Sequence, residues 1–595
     1  MMNTILKFYE KILDKRLRDQ TIDQISELQG GSQRNKGCVD MHIILQELIE
    51  QNKKEEMILC SYDLSKAYDR VNRDLLWNKL RTLNVDEHLI QAIMSTYSCT
   101  RICLNIGKFK SKKTAFKHGI KQGSVLSPIL YILYVNDLIK DLMKTNTGLT
   151  LKTGKNTRKI PCLMFVDDLL LMAKSTEEIK KLTNALTSFL NKNYAVINKK
   201  KTEIMANYIS PELKKWLEEN NYKNNSNIKY LGITININNS WTDYIEQIKQ
   251  KINKKFHPLK RRGVFWKEIN PINCIQLIKK LIIPTATYGA ELLTLTLKNK
   301  SHIDKKIAYT FRETLGLKGY TPTKWVLWEI DQPQIEWIIK ERKLNYWWKI
   351  QNTKSCIIQK EILNTPGSVF NKAIQNILDH KEGPKHTKKA INTKEYTWRK
   401  TNKKWISTNR KISIKKIETG NHQHRYFDIK PNSDIIPEIF DTSKFPHKTI
   451  KTILHARAQT LSIPSDINSK TDKECCPLCE NNQCSIIHLL HECKSTNKIR
   501  KEYLEALNSF VKNKLDSNTV KQIKKLTKKE QFQKIISLNL TNNTECNETI
   551  MVITAIALQD INKLKKNKDK LIKKRKLIKF NTIIQQAANK FKHLN

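Results

Sequence analysis

Acidic residues are scarce in this sequence relative to basic ones. Its 595 residues contain 57 Asp+Glu against 107 Lys+Arg, which leaves a formal charge of +50. Translation of an AT-rich, lysine-coding genome explains part of this excess, but not why Asp and Glu did not rise with Lys. So large a charge predicts a polyanionic partner, nucleic acid ahead of an acidic membrane surface.

Long apolar segments are also missing. The longest runs, at 129–135 and 551–558, fall far short of the roughly 20 residues that cross a bilayer. The first residues carry neither an apolar signal segment nor a small-residue cleavage site. We therefore expect an intracellular protein with no membrane partner, divided into about four domains by the usual relation of length to domain number.

The cysteines do not form a disulfide pattern. Five of the 13 fall between positions 475 and 493, which is typical of a metal site. The spacing Cys476-x2-Cys479-x8-His488-x4-Cys493 predicts one tetrahedral Zn²⁺, with His488 and Cys493 near one side of a short helix. A cysteine-rich helical hairpin without metal is the alternative. Three spare ligand candidates lie nearby: Cys475, Cys484 and His491.

Three carboxylates mark the most informative part of the chain. Asp167 and Asp168 stand between two apolar runs of strand length, which predicts a β-hairpin with both residues at its tip. Like charges about 4 Å apart repel by roughly 4 kcal/mol at an effective dielectric near 20, so a shared cation would explain the pair, and a polar turn that happens to read Asp-Asp is an equal alternative for this stretch alone. Asp63 ends a further strand candidate. We expect that strand to turn directly into a helix, placing Asp63 at the edge of a sheet.

Two glycine-containing loops accompany these carboxylates. The segment 119–128 carries Gln122 and Gly123 before a predicted helix, and a ligand could approach such a loop closely. The basic loop 29–36 lies between two predicted helices and is a weak signal by itself.

Five motifs in one order resemble those of the reverse transcriptases of non-LTR (LINE-like) retrotransposons. They are Asp63-x-x-Lys66-Ala67-Tyr68-Asp69, Gly119-x-x-Gln122-Gly123-x-x-Leu126-Ser127-Pro128, Phe165-Val166-Asp167-Asp168, Asn198-x-x-Lys201-Thr202 and Tyr230-Leu231-Gly232.

The resemblance implies an α+β right-hand polymerase fold. Residues 1–235 would form partial fingers and a palm with an antiparallel sheet, and 236–350 a helical thumb, although basic amphipathic helices there could equally form an ordinary core. Residues 351–470 are expected to be a basic connector that either binds single strands or is loosely folded. A Cys-Cys-His-Cys zinc module at 471–500 and a basic helical tail at 501–595 complete the chain.

The resemblance also implies two-metal phosphoryl transfer. Asp63 and Asp167 would bridge two Mg²⁺, with Asp168 as an auxiliary ligand and the Leu64 carbonyl as a further one. Lys201 is the candidate catalytic group that stabilises or protonates the leaving pyrophosphate.

Further residues are assigned to substrate binding by the same resemblance. Tyr68 would stack under the sugar and exclude a 2′-hydroxyl, and Gln122 with Gly123 would line the pocket for the templating pair. Arg34 and Lys36 are candidates for gripping the triphosphate. Lys66 and Asp69, by contrast, could simply pair with each other within their turn.

Element RNA as template, target DNA as primer and deoxynucleoside triphosphates are the implied partners, and the oligomeric state is left open. The expected location is the nucleus, after a cytoplasmic ribonucleoprotein stage. We expect the chain to lack the upstream fingers segment and any endonuclease domain. A catalytically impaired relic that binds RNA is therefore the main alternative, and an intron-encoded splicing factor with the same core is a lesser one.

Overall fold

The protein divides into two compact units in a computed structural model. The first comprises Met1–Gln247, Gly289–Leu295 and Ile339–Lys403, and the second Ile248–Tyr288, Thr296–Ile338 and Lys404–Asn595. The structure describes residues 4–98, 100–115, 118–154, 156–198, 201–261, 270–353, 355–378, 397–405, 407, 447–457, 476, 478–479, 486–536, 540–541 and 544–566.

A four-stranded antiparallel sheet forms the centre of the first unit. Its strands are β1 (Ile58–Asp63), β8 (Cys162–Phe165), β9 (Asp168–Ala173) and β10 (Glu203–Ala206), in the spatial order β10-β1-β9-β8. The strands consist mostly of apolar residues, as expected where both faces of a sheet are covered, and the side chains of Leu169, Leu170 and Leu171 are fully buried. Each such side chain contributes roughly 1.5–3 kcal/mol, enough together to hold polar residues at the end of the sheet.

Helices surround this sheet. The predicted hairpin is confirmed, since β8 and β9 pair with each other in the antiparallel direction. The helices of this part of the chain are α1 (Thr4–Thr21), α2 (Cys38–Asn52), α3 (Arg73–Thr82), α4 (Glu87–Ser98), α5 (Ser127–Lys144), α6 (Thr176–Lys192) and α7 (Pro211–Glu219). Helix α2 packs on β8 and helix α6 on β9. The helices predicted after the Gln122 segment and after the hairpin are α5 and α6.

Small two-stranded ladders extend from the same unit. They are β2 (Arg101–Ile102) with β5 (Thr114–Ala115), β3 (Asn105–Ile106) with β4 (Phe109–Lys110), β6 (Leu149–Thr153) with β7 (Asn156–Ile160), and β11 (Ile228–Tyr230) with β12 (Ile233–Ile235). Residues 101–115 are all exposed, and we call them the cationic arm because their charged residues are Arg101, Lys108, Lys110, Lys112 and Lys113.

Residues after position 350 return to the first unit. Helices α13 (Ile357–Asn364) and α14 (Val369–Leu378) both pack against α2. The Glu361 carboxylate accepts a hydrogen bond from Arg158 of β7 at 2.6 Å, and Thr153 of β6 donates to it at 2.9 Å. The first part of the predicted connector is therefore ordered and helical, whereas 408–446 lies outside the described residues.

The described part of the second unit is helical. Its helices are α9 (Pro271–Ala286), α10 (Leu297–Thr314), α11 (Thr323–Glu329), α15 (His447–Arg457), α16 (Ile486–His491), α17 (Asn497–Lys514), α18 (Ser517–Lys525), α19 (Lys528–Ile536) and α20 (Thr544–Lys566). Helices α8 (Thr242–Arg261) and α12 (Ile335–Gln351) contribute residues to both units. A buried ion pair joins Arg457 to Glu329 at 2.9 Å.

The expected α+β class is confirmed as a mostly helical protein with small antiparallel sheets. One local prediction was wrong: β1 does not turn directly into a helix, since turns occupy residues 65–70 and α3 starts only at Arg73. Lys66 adopts a left-handed φ of 51° there, which a helix cannot contain. Among the described residues, no helix is both long and apolar enough to span a bilayer.

Candidate active site

Three carboxylates meet at one end of the central sheet. Asp63 is the last residue of β1, and it pairs in register with Asp168, the first residue of β9. Asp167 precedes Asp168 in the turn that joins β8 to β9, where Phe165 pairs with Asp168. The hairpin tip is therefore Val166-Asp167, one residue earlier than predicted, and Asp168 belongs to the strand.

The turn is held in a conformation that its sequence does not favour. Val166 has φ of 59°, a left-handed value that is costly for a β-branched residue. The Gln29 side-chain oxygen accepts the Val166 backbone N–H at 2.9 Å and the Gly31 N–H at 2.8 Å. A Cβ on Gly31 would lie 2.4 Å from the Val166 backbone nitrogen. The loop 29–36, which was only a weak signal in the sequence, therefore supports this turn by direct contact.

Burial and neighbouring negative charge raise the pKa of Asp167 and Asp168. Burial, followed by Asp167 and Asp63, raises the pKa of Asp168 to about 6. The pKa of Asp167 is also raised, first by burial and then by the Asp63 charge. The positive charge of Lys201 opposes both shifts without cancelling them. A cluster with surplus negative charge and only oxygen donors fits hard divalent cations such as Mg²⁺.

Asp63 has two partners from the segment after α6. The Lys201 ammonium lies 3.3 Å from Asp63 Oδ2, and the Asn198 amide donates to the same oxygen at 3.2 Å. The Asn198 backbone N–H also donates to the Asp63 carbonyl at 2.8 Å. The side chain of Lys201 is 67% exposed, so its ammonium can exchange this partner for a ligand. Leu64 is buried beside Asp63 and bridges to Ile197.

Tyr68 and Gln122 belong to two segments that contact each other. The Tyr68 ring stacks on Tyr131 of α5, with centroids 5.2 Å apart and planes 11° from parallel. Burial raises the pKa of Tyr68, and the Asp167 charge adds to this shift. The Gln122 amide donates to Asp69 Oδ1 at 3.1 Å, while the Asp69 N–H bonds to the Lys66 carbonyl at 3.0 Å.

Residues 119–126, which we call the Gln122 loop, dock closely on the Tyr68 turn. The Ile120 N–H donates to the Tyr68 carbonyl at 2.9 Å, and a Cβ on Gly119 would lie 2.7 Å from the Asp69 carbonyl oxygen. Gly119 also has φ of 76°, so the position requires glycine on both grounds. Gly123, with φ of 81°, has open space around it.

Arg34 and Lys36 do not share one environment. Arg34 is exposed. Lys36 is partly buried and donates to the Glu27 carbonyl at 3.4 Å. Burial lowers the pKa of Lys36 despite the nearby Cys356 and Glu27. No contact joins either residue to the three carboxylates in the described part of the chain.

Sequence reasoning missed two supporting residues. Gln29 was seen only as part of a basic loop, and Asn198 only as a motif position without a role. Both act through contacts with residues more than 100 positions away, to Val166 and Asp63. The nearest signals were the adjacent Gly30-Gly31 pair and the motif spacing of Asn198 from Lys201.

A separate cluster lies in the second unit. The ligand atoms of Cys476, Cys479, His488 and Cys493 all lie within 4.8 Å of one another. Cys476 Sγ is 3.9 Å from Cys493 Sγ, and Cys479 Sγ is 3.3 Å from His488 Nε2. Tetrahedral Zn²⁺ with bonds of roughly 2.0–2.3 Å requires ligand separations of this size. These four side chains therefore fit zinc.

The surroundings of the cluster also suit a metal. His488 lies in α16, and its Nδ1 atom faces Glu492 Oε2 at 3.7 Å, which orients Nε2 towards the cysteines. Burial and the neighbouring thiols raise the pKa of Cys493, so thiolate there requires a cation. Cys493 follows α16 rather than lying on it. Of the spare candidates, His491 packs on Tyr503 with ring centroids 6.3 Å apart, and Cys475 and Cys484 lie outside the described residues.

Comparison with known proteins shows what the largest segment of the first unit is similar to. The family described as reverse transcriptase (RNA-dependent DNA polymerase) matches residues 1–235. The R2 retrotransposon Pol polyprotein of Popillia japonica is 23% identical over 336 residues, covering 54% of this chain and 45% of that protein. The jockey RNA-directed DNA polymerase of Drosophila melanogaster is 23% identical over 354 residues, covering 56% and 37%.

Other matches cover less of this chain or have lower sequence identity. The Transposon TX1 149 kDa protein of Xenopus laevis is 22% identical over 39% of this chain and 18% of that protein. Apo telomerase from Candida tropicalis superposes with a TM-score of 0.33 at 14% identity, over 62% of this chain and 60% of that one.

The chain spans less than half of the length of these retrotransposon relatives. Within that span, the family match over residues 1–235 contains all three clustered carboxylates and the segments that contact them. Residues 1–235 therefore belong to the reverse transcriptase (RNA-dependent DNA polymerase) family, and the chain is related to proteins of the R2, jockey and TX1 retrotransposons.

Proposed function

We propose that this protein copies element RNA into DNA by adding deoxynucleotides to a DNA primer. The observation that carries this proposal is the register pairing of Asp63 with Asp168, with Asp167 in the adjoining turn. Three carboxylates meet at one end of the sheet, and burial followed by the charges of Asp167 and Asp63 raises the pKa of Asp168 to about 6. Bound cations would relieve the repulsion among these carboxylates.

We assign the parts of a right-hand polymerase to these elements. The sheet β10-β1-β9-β8 serves as the palm, and residues 1–235 include partial fingers. The helices over 236–350 serve as the thumb. Residues 351–470, 471–500 and 501–595 act as a connector, a zinc module and a basic helical tail.

Phosphoryl transfer leaves the protein mainly the tasks of positioning and charge neutralisation. Asp63 and Asp167 would hold two Mg²⁺ with help from Asp168 and the Leu64 carbonyl. When bound, these ions supply charge that favours ionisation of the primer 3′-hydroxyl and departure of pyrophosphate. The packed apolar strands β8 and β9 would hold the carboxylate ligands in place, which would reduce rearrangement of the site during the reaction.

Other side chains act on the nucleotide and the leaving group. Lys201, which is exposed and paired with Asp63, would stabilise or protonate the leaving pyrophosphate. Tyr68 presents a ring backed by Tyr131 to the sugar, and a rigid ring there would exclude a 2′-hydroxyl by contact. Gln122 and Gly123 contribute the surface for the templating pair. Arg34 remains a candidate for triphosphate contact, whereas the engagement of Lys36 with Glu27 argues against it.

The cationic arm supports a nucleic-acid partner. Its residues are exposed, and none of them is acidic. Ile106 and Phe109, a cross-strand pair, are 67% and 82% exposed. An isolated two-stranded ribbon is only marginally stable in water, so a polyanion that contacts both the charges and the apolar pair would stabilise it.

The decisive experiment is primer extension on an RNA template with Mg²⁺. We expect the wild type to incorporate deoxynucleotides and Asp167→Ala to lose at least about a hundredfold in rate. Asp141→Asn is the matched control, because Asp141 is a partly exposed α5 carboxylate whose ion-pair partner in the described part of the chain is Lys144, at 3.1 Å. Its extension rate should equal that of the wild type.

Two outcomes would contradict the proposal. Equal extension by wild type and Asp167→Ala would remove the site assignment. Absence of extension by all three proteins, with retained binding of the RNA, would favour the RNA-binding relic instead.

A further inference from the structure

Helix α1 buries a carboxylate that no step of the proposed reaction uses. Glu10 is 0% exposed, although Ile5, Tyr9 and Ile12 on the same helix are exposed. Its Oε2 atom accepts the Ser124 hydroxyl at 2.7 Å and the Val125 backbone N–H at 3.1 Å. A buried charge in the first helix is therefore committed to the Gln122 loop.

The same carboxylate also faces a buried cation, Lys121, which directly precedes Gln122 in the sequence. The Lys121 ammonium lies 3.6 Å from Glu10 Oε1 and donates to the Thr96 carbonyl at 2.6 Å. It also sits 4.7 Å from the centre of the Tyr97 ring, a cation–π contact. Lys121 is only 9% exposed, so its charge is taken up by protein groups and not by solvent.

Further hydrogen bonds hold the Gln122 loop in place beside the contacts with Glu10. The Ser127 hydroxyl donates to the Lys121 carbonyl at 2.6 Å, and the Leu126 N–H donates to Ser124 Oγ at 3.2 Å. Residues on both sides of Gln122 and Gly123 are thus fixed, whereas these two residues are exposed and point to no buried group. The loop is therefore held on both sides of two exposed residues, of which Gln122 contacts only the exposed Asp69 among the hydrogen bonds of the described residues.

We propose that Glu10 is a positioning residue for nucleotide selection: it clamps Lys121 and Ser124 and so fixes Gln122 and Gly123. The inference rests on the proposed polymerase function for its kinetic consequence, but not for the clamp itself. Glu10 contacts no substrate in this scheme. It acts by keeping the loop in the geometry in which Gln122 meets the templating pair and Asp69.

The clamp is tested without any activity by hydrogen–deuterium exchange of peptides covering 119–127. Glu10→Ala should speed exchange in these peptides by at least about tenfold and leave the β8–β9 hairpin unchanged. Asp14→Asn is the matched control, because Asp14 is also on α1 but, among the described residues, forms an ion pair with Arg18 alone, at 2.9 Å. Unchanged exchange at 119–127 in Glu10→Ala would overturn the proposal.

Kinetics separate positioning from general damage to the fold. In single-nucleotide extension, Glu10→Ala should raise the KM for the incoming deoxynucleotide about tenfold and leave the Kd for primer–template within twofold. A purely structural role would lower the active fraction, with KM unchanged. That result would contradict the proposal even if the extension rate fell.

A double variant separates loss of the ion pair from the destabilisation caused by one unpaired buried charge. Glu10→Gln/Lys121→Met removes both buried charges and keeps an acceptor for Ser124, so neither partner is left unpaired. We expect its KM and its exchange at 119–127 to lie between those of wild type and Glu10→Ala, because the ion pair is lost while the contact with Ser124 is kept. A double variant indistinguishable from wild type would show that the Glu10–Lys121 pair is not what positions the loop. A wild type without extension would remove the proposed function, whereas the exchange result would still decide the clamp.

Discussion

Asp63 and Asp168 stand opposite each other on adjacent antiparallel strands, one at the end of β1 and one at the start of β9. This register brings together carboxylates that are more than 100 residues apart in the chain. It also places Asp167, the last residue of the turn, beside both of them. The polymerase proposal depends on this relationship more than on any single motif.

Repulsion among these carboxylates predicts a stability change on removing one. Burial and the neighbouring charges raise the pKa of Asp168 to about 6 from an ordinary 3.8, so its ionised form destabilises the fold. The penalty is absent below about pH 3.8 and grows as pH rises through 6. In EDTA at pH 7.5, Asp168→Asn should raise Tm by about 2–4 °C, and this gain should shrink towards pH 5.

Calorimetry with and without Mg²⁺ completes that measurement. Mg²⁺ should raise the Tm of the wild type more than that of Asp168→Asn, because the ion relieves the same repulsion. Asp141→Asn should behave as wild type at every pH. A lower Tm for Asp168→Asn in EDTA would show that the carboxylate stabilises the metal-free fold.

Close packing of the loop 29–36 on the hairpin turn predicts that Gly31 tolerates no side chain. Gly31→Ala places a Cβ 2.4 Å from the Val166 backbone nitrogen, which must move the turn that carries Asp167. We expect primer extension to fall at least about tenfold. Gly37→Ala is the control from the next stretch of chain, since its Cβ would meet only Asp40, at 3.9 Å. Equal activity of the two variants would show that the turn is not braced by Gly31.

Stacking of Tyr68 on Tyr131 predicts a role in sugar selection. Tyr68→Val removes the ring and should raise incorporation of ribonucleotides relative to deoxynucleotides by about 10–100-fold. Tyr68→Phe keeps the ring at the same place and should retain the wild-type preference. Single-nucleotide extension with each triphosphate measures the ratio, and an unchanged ratio in Tyr68→Val would exclude this role.

Compact placement of four ligand atoms predicts one bound zinc per chain. Cys476→Ser/Cys479→Ser should lose the metal, measured by elemental analysis, and should unfold at lower temperature, since structural zinc contributes on the order of 10 kcal/mol. Cys546→Ala provides the control, because Cys546 belongs to the same unit but not to the cluster. A wild-type protein that folds normally after complete removal of metal would refute a structural zinc site.

Much of the candidate site was predictable from local sequence. The apolar runs around Asp167 predicted the hairpin, and the alternation of strand and helix patterns predicted β1, α5 and α6 within a few residues. The Cys-x2-Cys spacing with His488 and Cys493 predicted the four residues that cluster in the second unit. These predictions succeed because each depends on residues close together in the chain.

The remaining contacts were not predictable because they join distant segments. Nothing near Glu10 indicates burial, and its helix carries apolar residues on the exposed side. Gln29 and Asn198 acquire their roles only where the loop 29–36 and the segment after α6 reach the hairpin and β1. A single sequence records residue types and spacing, but not which distant surfaces meet.

The sequence by itself therefore determined the chemical inventory of this protein. It contains the three carboxylates, the four zinc-ligand candidates, the ordered motifs and a large excess of positive charge. Only the tertiary structure decided that Asp63 pairs with Asp168, that Gly31 braces the turn, and that Glu10 clamps the Gln122 loop. The physical reason is that strand register and side-chain burial follow from packing between segments, which no local pattern encodes.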